Sequence, residues 1–94
     1  RGIMLVCVQY PMRSAEPLRR IMAGMDNVFF VDNEKSFRDA IASSRYDEYF
    51  ADRFAGDFGH CTKKGNHLLA QNIADVILRE VFHGNYKPLH QIQR

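Results

Sequence analysis

The run Gly2-Ile3-Met4-Leu5-Val6-Cys7-Val8-Gln9-Tyr10 constrains the fold more than any other stretch of this chain. Its apolar residues are continuous, not alternating. A strand with one wet face alternates, whereas a continuous run expects cover on both faces, as in a parallel sheet flanked by helices. Pro11 ends the run, because proline has no N–H to give to a ladder. Val28-Phe29-Phe30-Val31-Asp32 is a second run of this kind, rich in β-branched and aromatic residues, and Asp32-Asn33 closes it. Between the two, Ser14 offers an N-cap and Pro17 suits a first helical turn. Leu18, Ile21, Met22 and Met25 follow at helical spacing, and Gly24 with Asp26-Asn27 stops them. Strand, helix, strand in that order predicts two parallel strands, Ile3–Tyr10 and Val28–Asp32, joined by a right-handed crossover.

The α/β order continues. Glu34 to Ser44 reads as a second helix, with Phe37, Ala40 and Ile41 on one face. From Arg45 to Gly56 the pattern is mixed. Tyr46, Tyr49, Phe50 and Phe54 suggest a short helix or turn laying aromatics over the end of the sheet as core cover. A last helix is expected from about Thr62, with Leu69, Ile73, Val76, Ile77 and Val81 on its apolar face. Gly84-Asn85 and Pro88 should stop it. Residues 1–85 read as one unit and residues 86–94 as a loose tail.

Ninety-four residues suit one small domain. The net charge is +2, and its 13 basic and 11 acidic residues are interspersed, so no basic stripe points to nucleic acid. The longest unbroken apolar run, Ile3 to Val8, is far too short to span a bilayer, and no signal peptide is visible. The chain opens at Arg1 and enters a strand almost at once, which suggests a cut through a larger protein. Cys7 and Cys61 form no framework, and Cys7 reads as a small buried hydrophobe. His60, Cys61, His67 and His83 match no usual zinc spacing, so neither metal nor cofactor is expected.

Chemistry concentrates at Asp57-Phe58-Gly59-His60, just ahead of the last helix. A carboxylate that accepts one imidazole N–H fixes the tautomer and leaves the other nitrogen free as a base. Residues three apart across a tight turn can meet, and Gly59 eases that turn. Thr62 can cap the helix that follows, and Gly65 leaves room for close packing beneath the loop. In the competing reading Asp57 is a turn residue beside a solvated His60.

The block Asp57-Phe58-Gly59-His60-Cys61-Thr62-Lys63-Lys64-Gly65-Asn66-His67-Leu68-Leu69-Ala70 resembles the final block of the SGNH, or GDSL, hydrolases. The order of elements from about Gly2 to Phe82 is similar to the last third of that family, including a first strand that ends in Tyr10-Pro11. The resemblance implies a partial three-layer α/β/α parallel sheet of flavodoxin-like kind, with about two strands and three to four helices. It implies Asp57 as triad acid and His60 as catalytic base. The implied substrate is an ester of a small molecule, a carbohydrate or a lipid. The family's G-D-S-like nucleophile block and its Gly and Asn oxyanion donors do not occur here. Ser14, Ser36, Ser43 and Ser44 lack that setting. The chain thus looks like the C-terminal half of a hydrolase domain, inactive alone and completed by a missing N-terminal half. A non-catalytic α/β module that binds a partner through the same surface is the alternative.

Overall fold

The computed structural model describes residues 3–54 and 56–82. Strand β1 (Leu5–Val8) is followed by helix α1 (Glu16–Ile21), strand β2 (Val28–Val31), helix α2 (Glu34–Ala42), the single turn α3 (Tyr46–Tyr49) and helix α4 (Lys63–Val76). A π-helical turn over Ile77–Val81 prolongs α4. The strands pair in parallel, with Leu5 opposite Val28 and Val8 opposite Val31. The chain is therefore α/β, with helices joined to a two-stranded parallel sheet, as the strand–helix–strand order predicts. The expected stops at Gly84-Asn85 and Pro88, the 86–94 tail and His83 lie outside the described residues.

Local chemistry sets the helix starts. The N-cap of α1 is Ala15 and not the expected Ser14, whose hydroxyl accepts the Glu16 N–H (3.1 Å) from one residue further out; Pro17 sits in the first turn, where a missing donor costs little. Asp32 Oδ1 accepts the Glu34 N–H ahead of α2 (3.0 Å). Thr62 is the N-cap of α4, with its hydroxyl accepting the Gly65 N–H at 3.1 Å. Gly65 is buried, and a Cβ there would collide with the Tyr49 carbonyl oxygen, so α4 approaches α3 more closely than any side chain permits.

The core lies beyond the carboxyl ends of the strands. Met12, Phe37 and Phe50 are its buried centre, and Tyr10, Ile41, Tyr46, Tyr49, Phe58, Cys61, Leu68 and Leu69 pack against it. Phe37 meets Phe50 at 5.7 Å between ring centres and Tyr49 edge-on at 6.1 Å. Burying side chains of this size stabilises the fold by about 2–3 kcal/mol each. The aromatics of 46–50 thus act as core cover, while Phe54 stays 47% exposed.

Met12 reaches the core by an uncommon backbone. The Arg13 N–H donates to the Tyr10 carbonyl (3.2 Å) across Pro11-Met12, and Met12 has φ 73°. That is the position of a type II turn that glycine usually fills. The methionine is held there because its side chain is nearly fully enclosed.

Asn33 is the buried polar residue of the core region. Its Nδ2 donates to the Gln9 carbonyl (2.6 Å), and its Oδ1 accepts from Asn72 Nδ2 (2.8 Å). Asn72 also donates to the Ser36 hydroxyl (2.6 Å). The ends of both strands, α2 and α4 are joined by one amide pair.

Both strands are shorter than the runs that predict them, and their faces are not both covered. Leu5 and Val8 are each 42% exposed, and Cys7 is only half-buried. Among the described residues β1 also pairs with β2 alone, so its other edge is open as well. Ile3, Ile21, Met25 and Phe82 are also exposed. No helix among the described residues is long and apolar enough to cross a membrane.

Candidate functional site

The loop from α3 to α4 folds back on itself as a short antiparallel excursion. Phe50 bridges Cys61, and Phe54 bridges Phe58. The Ala51 N–H donates to the His60 carbonyl (2.7 Å), and the Thr62 N–H to the Tyr49 carbonyl (3.0 Å). Four steps along the chain from Phe50 to Phe54 face three from Phe58 to Cys61, so one extra residue is accommodated as a bulge. That offset turns the Asp52 side chain toward His60.

Asp52 meets His60 twice. The His60 backbone N–H donates to Asp52 Oδ1 at 2.6 Å, and the imidazole Nδ1 lies 2.7 Å from Oδ2. An ionised carboxylate only accepts, so a neutral imidazole here carries its hydrogen on Nδ1 and keeps its lone pair on Nε2. The His60 side chain is 72% exposed, and its ring stands edge-on to Phe54 with centres 5.1 Å apart. The Asp52 carboxyl is held below its ordinary range, first by the imidazole hydrogen bond and then by the backbone N–H. Both favour the ionised acceptor form.

Asp57 does not join this pair. It lies half-buried just past Gly56, whose φ of 88° makes the turn. Its two oxygens are 3.5 Å from Arg13 Nη1 and from Arg38 Nη2. Arg38 also donates to the Met12 carbonyl (3.0 Å) and pairs with Glu34 (3.3 Å). Two guanidiniums, from the loop after β1 and from α2, draw Asp57 to one side of the loop, while Asp52 occupies the imidazole. The carboxylate that meets the His60 imidazole is that of Asp52, eight residues upstream, and not that of Asp57, three upstream. The signal in the sequence is the phenylalanines at 50, 54 and 58 around Gly56, which mark a hairpin that folds position 52 onto position 60.

The rest of the site is support. The Tyr10 hydroxyl donates to the Gly59 carbonyl at 2.5 Å, and the Tyr46 hydroxyl to the Asp52 carbonyl at 2.6 Å. Burial is the largest cause raising both phenols above their ordinary pKa, so both stay protonated donors. Burial likewise raises the Cys61 thiol, which keeps it out of its nucleophilic form. The Ser14, Ser36 and Ser43 hydroxyls are engaged with Glu16, Asn72 and the carbonyls of Asp39 and Ala40. Among the described residues no serine is bonded to His60, and no group of three or more His, Cys, Asp or Glu side chains could hold a metal.

Compared with known proteins, the chain matches no family model, no curated protein and no solved structure at a significant level.

Proposed function

We propose that this chain is the acid–base portion of a serine ester hydrolase of SGNH type, with His60 as the base. The observation that carries the reading is the 2.7 Å contact between His60 Nδ1 and Asp52, which leaves Nε2 as the available base on an exposed ring. In this reading Asp52 takes the orienting role that the family resemblance gives to Asp57. His60 removes the proton from a serine hydroxyl supplied by a preceding segment, and the serine oxygen attacks the ester carbonyl. The imidazolium then protonates the leaving alcohol. Water, deprotonated by His60, releases the acid and restores the serine. The site's position beyond the carboxyl ends of parallel strands supports the reading, since ligands in open α/β sheets bind there.

The substrate class is an ester of a small molecule, a carbohydrate or a lipid. The apolar surface left bare on β1 fits a domain whose other part packs there, and it equally fits a module that binds a separate partner. The test is hydrolysis of activated esters by the polypeptide that joins this chain to the residues encoded ahead of Arg1. Turnover that His60→Ala abolishes supports the hydrolase. Turnover that survives His60→Ala, or none at all in the folded polypeptide, overturns it.

A further inference from the structure

Two tyrosine hydroxyls end on the two backbone carbonyls that frame the Asp52–His60 pair. Tyr46 donates to the carbonyl of Asp52 itself, and Tyr10 to that of Gly59, the residue directly before His60. The donors come from different parts of the fold, Tyr10 from just beyond β1 and Tyr46 from α3. Each ring is itself fixed. Tyr10 stands edge-on to Phe58 (5.6 Å, 68°), and Tyr46 stacks on Phe50 (5.0 Å, 29°) with the Arg53 guanidinium 3.8 Å over its ring.

We infer that Tyr10 and Tyr46 are positioning residues, which clamp the two strands of the loop so that Asp52 and His60 are held in register. The inference rests on the proposed role of His60 and deepens it. The loop needs such a device. It is bulged, and the side chains of the pair are open to water, His60 at 72% and Asp52 at 44% exposure. An exposed carboxylate–imidazole contact is only weakly held against competing water. A rigid donor from the sheet end on one side and from α3 on the other fixes the carbonyls. The Asp52 carboxylate then has one imidazole orientation to accept. A displacement of about 1 Å at a reacting nitrogen can cost about a hundredfold in rate, so precision here has chemical value.

The test uses the 94-residue chain and requires no ester turnover, so it stays separate from the fate of the hydrolase reading. Nitrogen-15 NMR of the imidazoles reports which nitrogen of His60 carries the hydrogen, and carbon-13 NMR reports the Asp52 carboxyl titration. The wild type is expected to show His60 as one Nδ1–H tautomer and an Asp52 midpoint below the ordinary range. Tyr10→Phe and Tyr46→Phe remove one hydroxyl each. Each should give averaged tautomer signals and move the Asp52 midpoint up toward the ordinary value. A fall in Tm with tautomer and midpoint unchanged would mean that the tyrosines only pack, and would overturn the inference. Should a Phe variant fail to fold, 3-fluorotyrosine incorporated in the natural sequence replaces it, because its more acidic phenol can be ionised by raising the pH. His60 nitrogen signals that move with that ionisation support the clamp, and signals that do not move overturn it.

Discussion

Gly59 and Asp52 touch backbone to backbone. A Cβ on Gly59 would overlap the Asp52 carbonyl oxygen and stand 2.6 Å from its Oδ1. Neither neighbour can retreat freely, since Tyr46 holds that carbonyl and His60 holds that carboxylate. Gly59→Ala is therefore expected to destabilise the chain by about 3 kcal/mol or more, a large share of a small domain's stability. Thermal unfolding measures it, and a variant that melts like the wild type would contradict the close approach.

Asp52 and Asp57 are separated by their amides. In the polypeptide that the proposed hydrolase requires, with a nucleophile-bearing segment joined to this chain, Asp52→Asn replaces the acceptor on Nδ1 with a group that can donate, so Nε2 can be turned away from its proposed role as base. Turnover should fall by up to about four orders of magnitude. Asp57→Asn, beside Arg13 and Arg38, should leave turnover close to wild type. The reverse result would return the orienting role to Asp57.

The same carboxylate gives a pH signature. His60 depresses the folded pKa of Asp52, so its contribution to stability is complete above the ordinary aspartate pKa of about 3.9. That contribution is lost as the pH falls through the lower, folded value. Urea midpoints of wild type and Asp52→Asn should therefore differ more near neutrality than in strong acid, most visibly at low salt. A gap that widens on acidification would contradict the pairing.

Met12 sets conformation against burial. Glycine at this φ would relieve about 1 kcal/mol of backbone strain. It would also remove a buried methionine, at about 2–5 kcal/mol. Met12→Gly should thus lower the Tm, even though glycine is the residue the turn prefers. A raised Tm would show that the side chain contributes little to the core.

The bare apolar side chains on α1 and just ahead of β1 predict association. Ile3 is 78% exposed and Ile21 72%. The isolated chain should self-associate as its concentration rises in sedimentation, and a strict monomer with a sharp, reversible melt would count against this.

Much of the fold was legible because it depends on neighbours in sequence. The apolar runs mark both strands, and Glu34 opens α2 where its pattern begins. Thr62 caps α4, as its place at the start of the last apolar-periodic segment suggests. The site was legible only in part. His60 stands out beside a glycine and a helix start. Its partner does not, because Asp57 is nearer in sequence while Asp52 is nearer in space. The spacing of three carries no word of Arg13 and Arg38, which reach Asp57 from distant elements. Nor does a tyrosine in an aromatic stretch announce where its hydroxyl will end. Burial was overestimated at Leu5 and Val8 because a continuous apolar run states what a strand tolerates on each face, not what lies there.

The Asn33 amide has a consequence for how the chain finds its fold. Strands that are apolar on both faces can slide past one another with little loss of hydrophobic contact, so patterning alone specifies their alignment weakly. Asn33 removes that freedom. With Val8 opposite Val31, its Nδ2 donates to the Gln9 carbonyl while its Oδ1 accepts from Asn72. A slip of one residue would strand a buried amide, at about 1–3 kcal/mol for each polar group left without a partner. The buried amide thus does what the oily residues of the two runs cannot: it favours one alignment of the strands over its slipped neighbours.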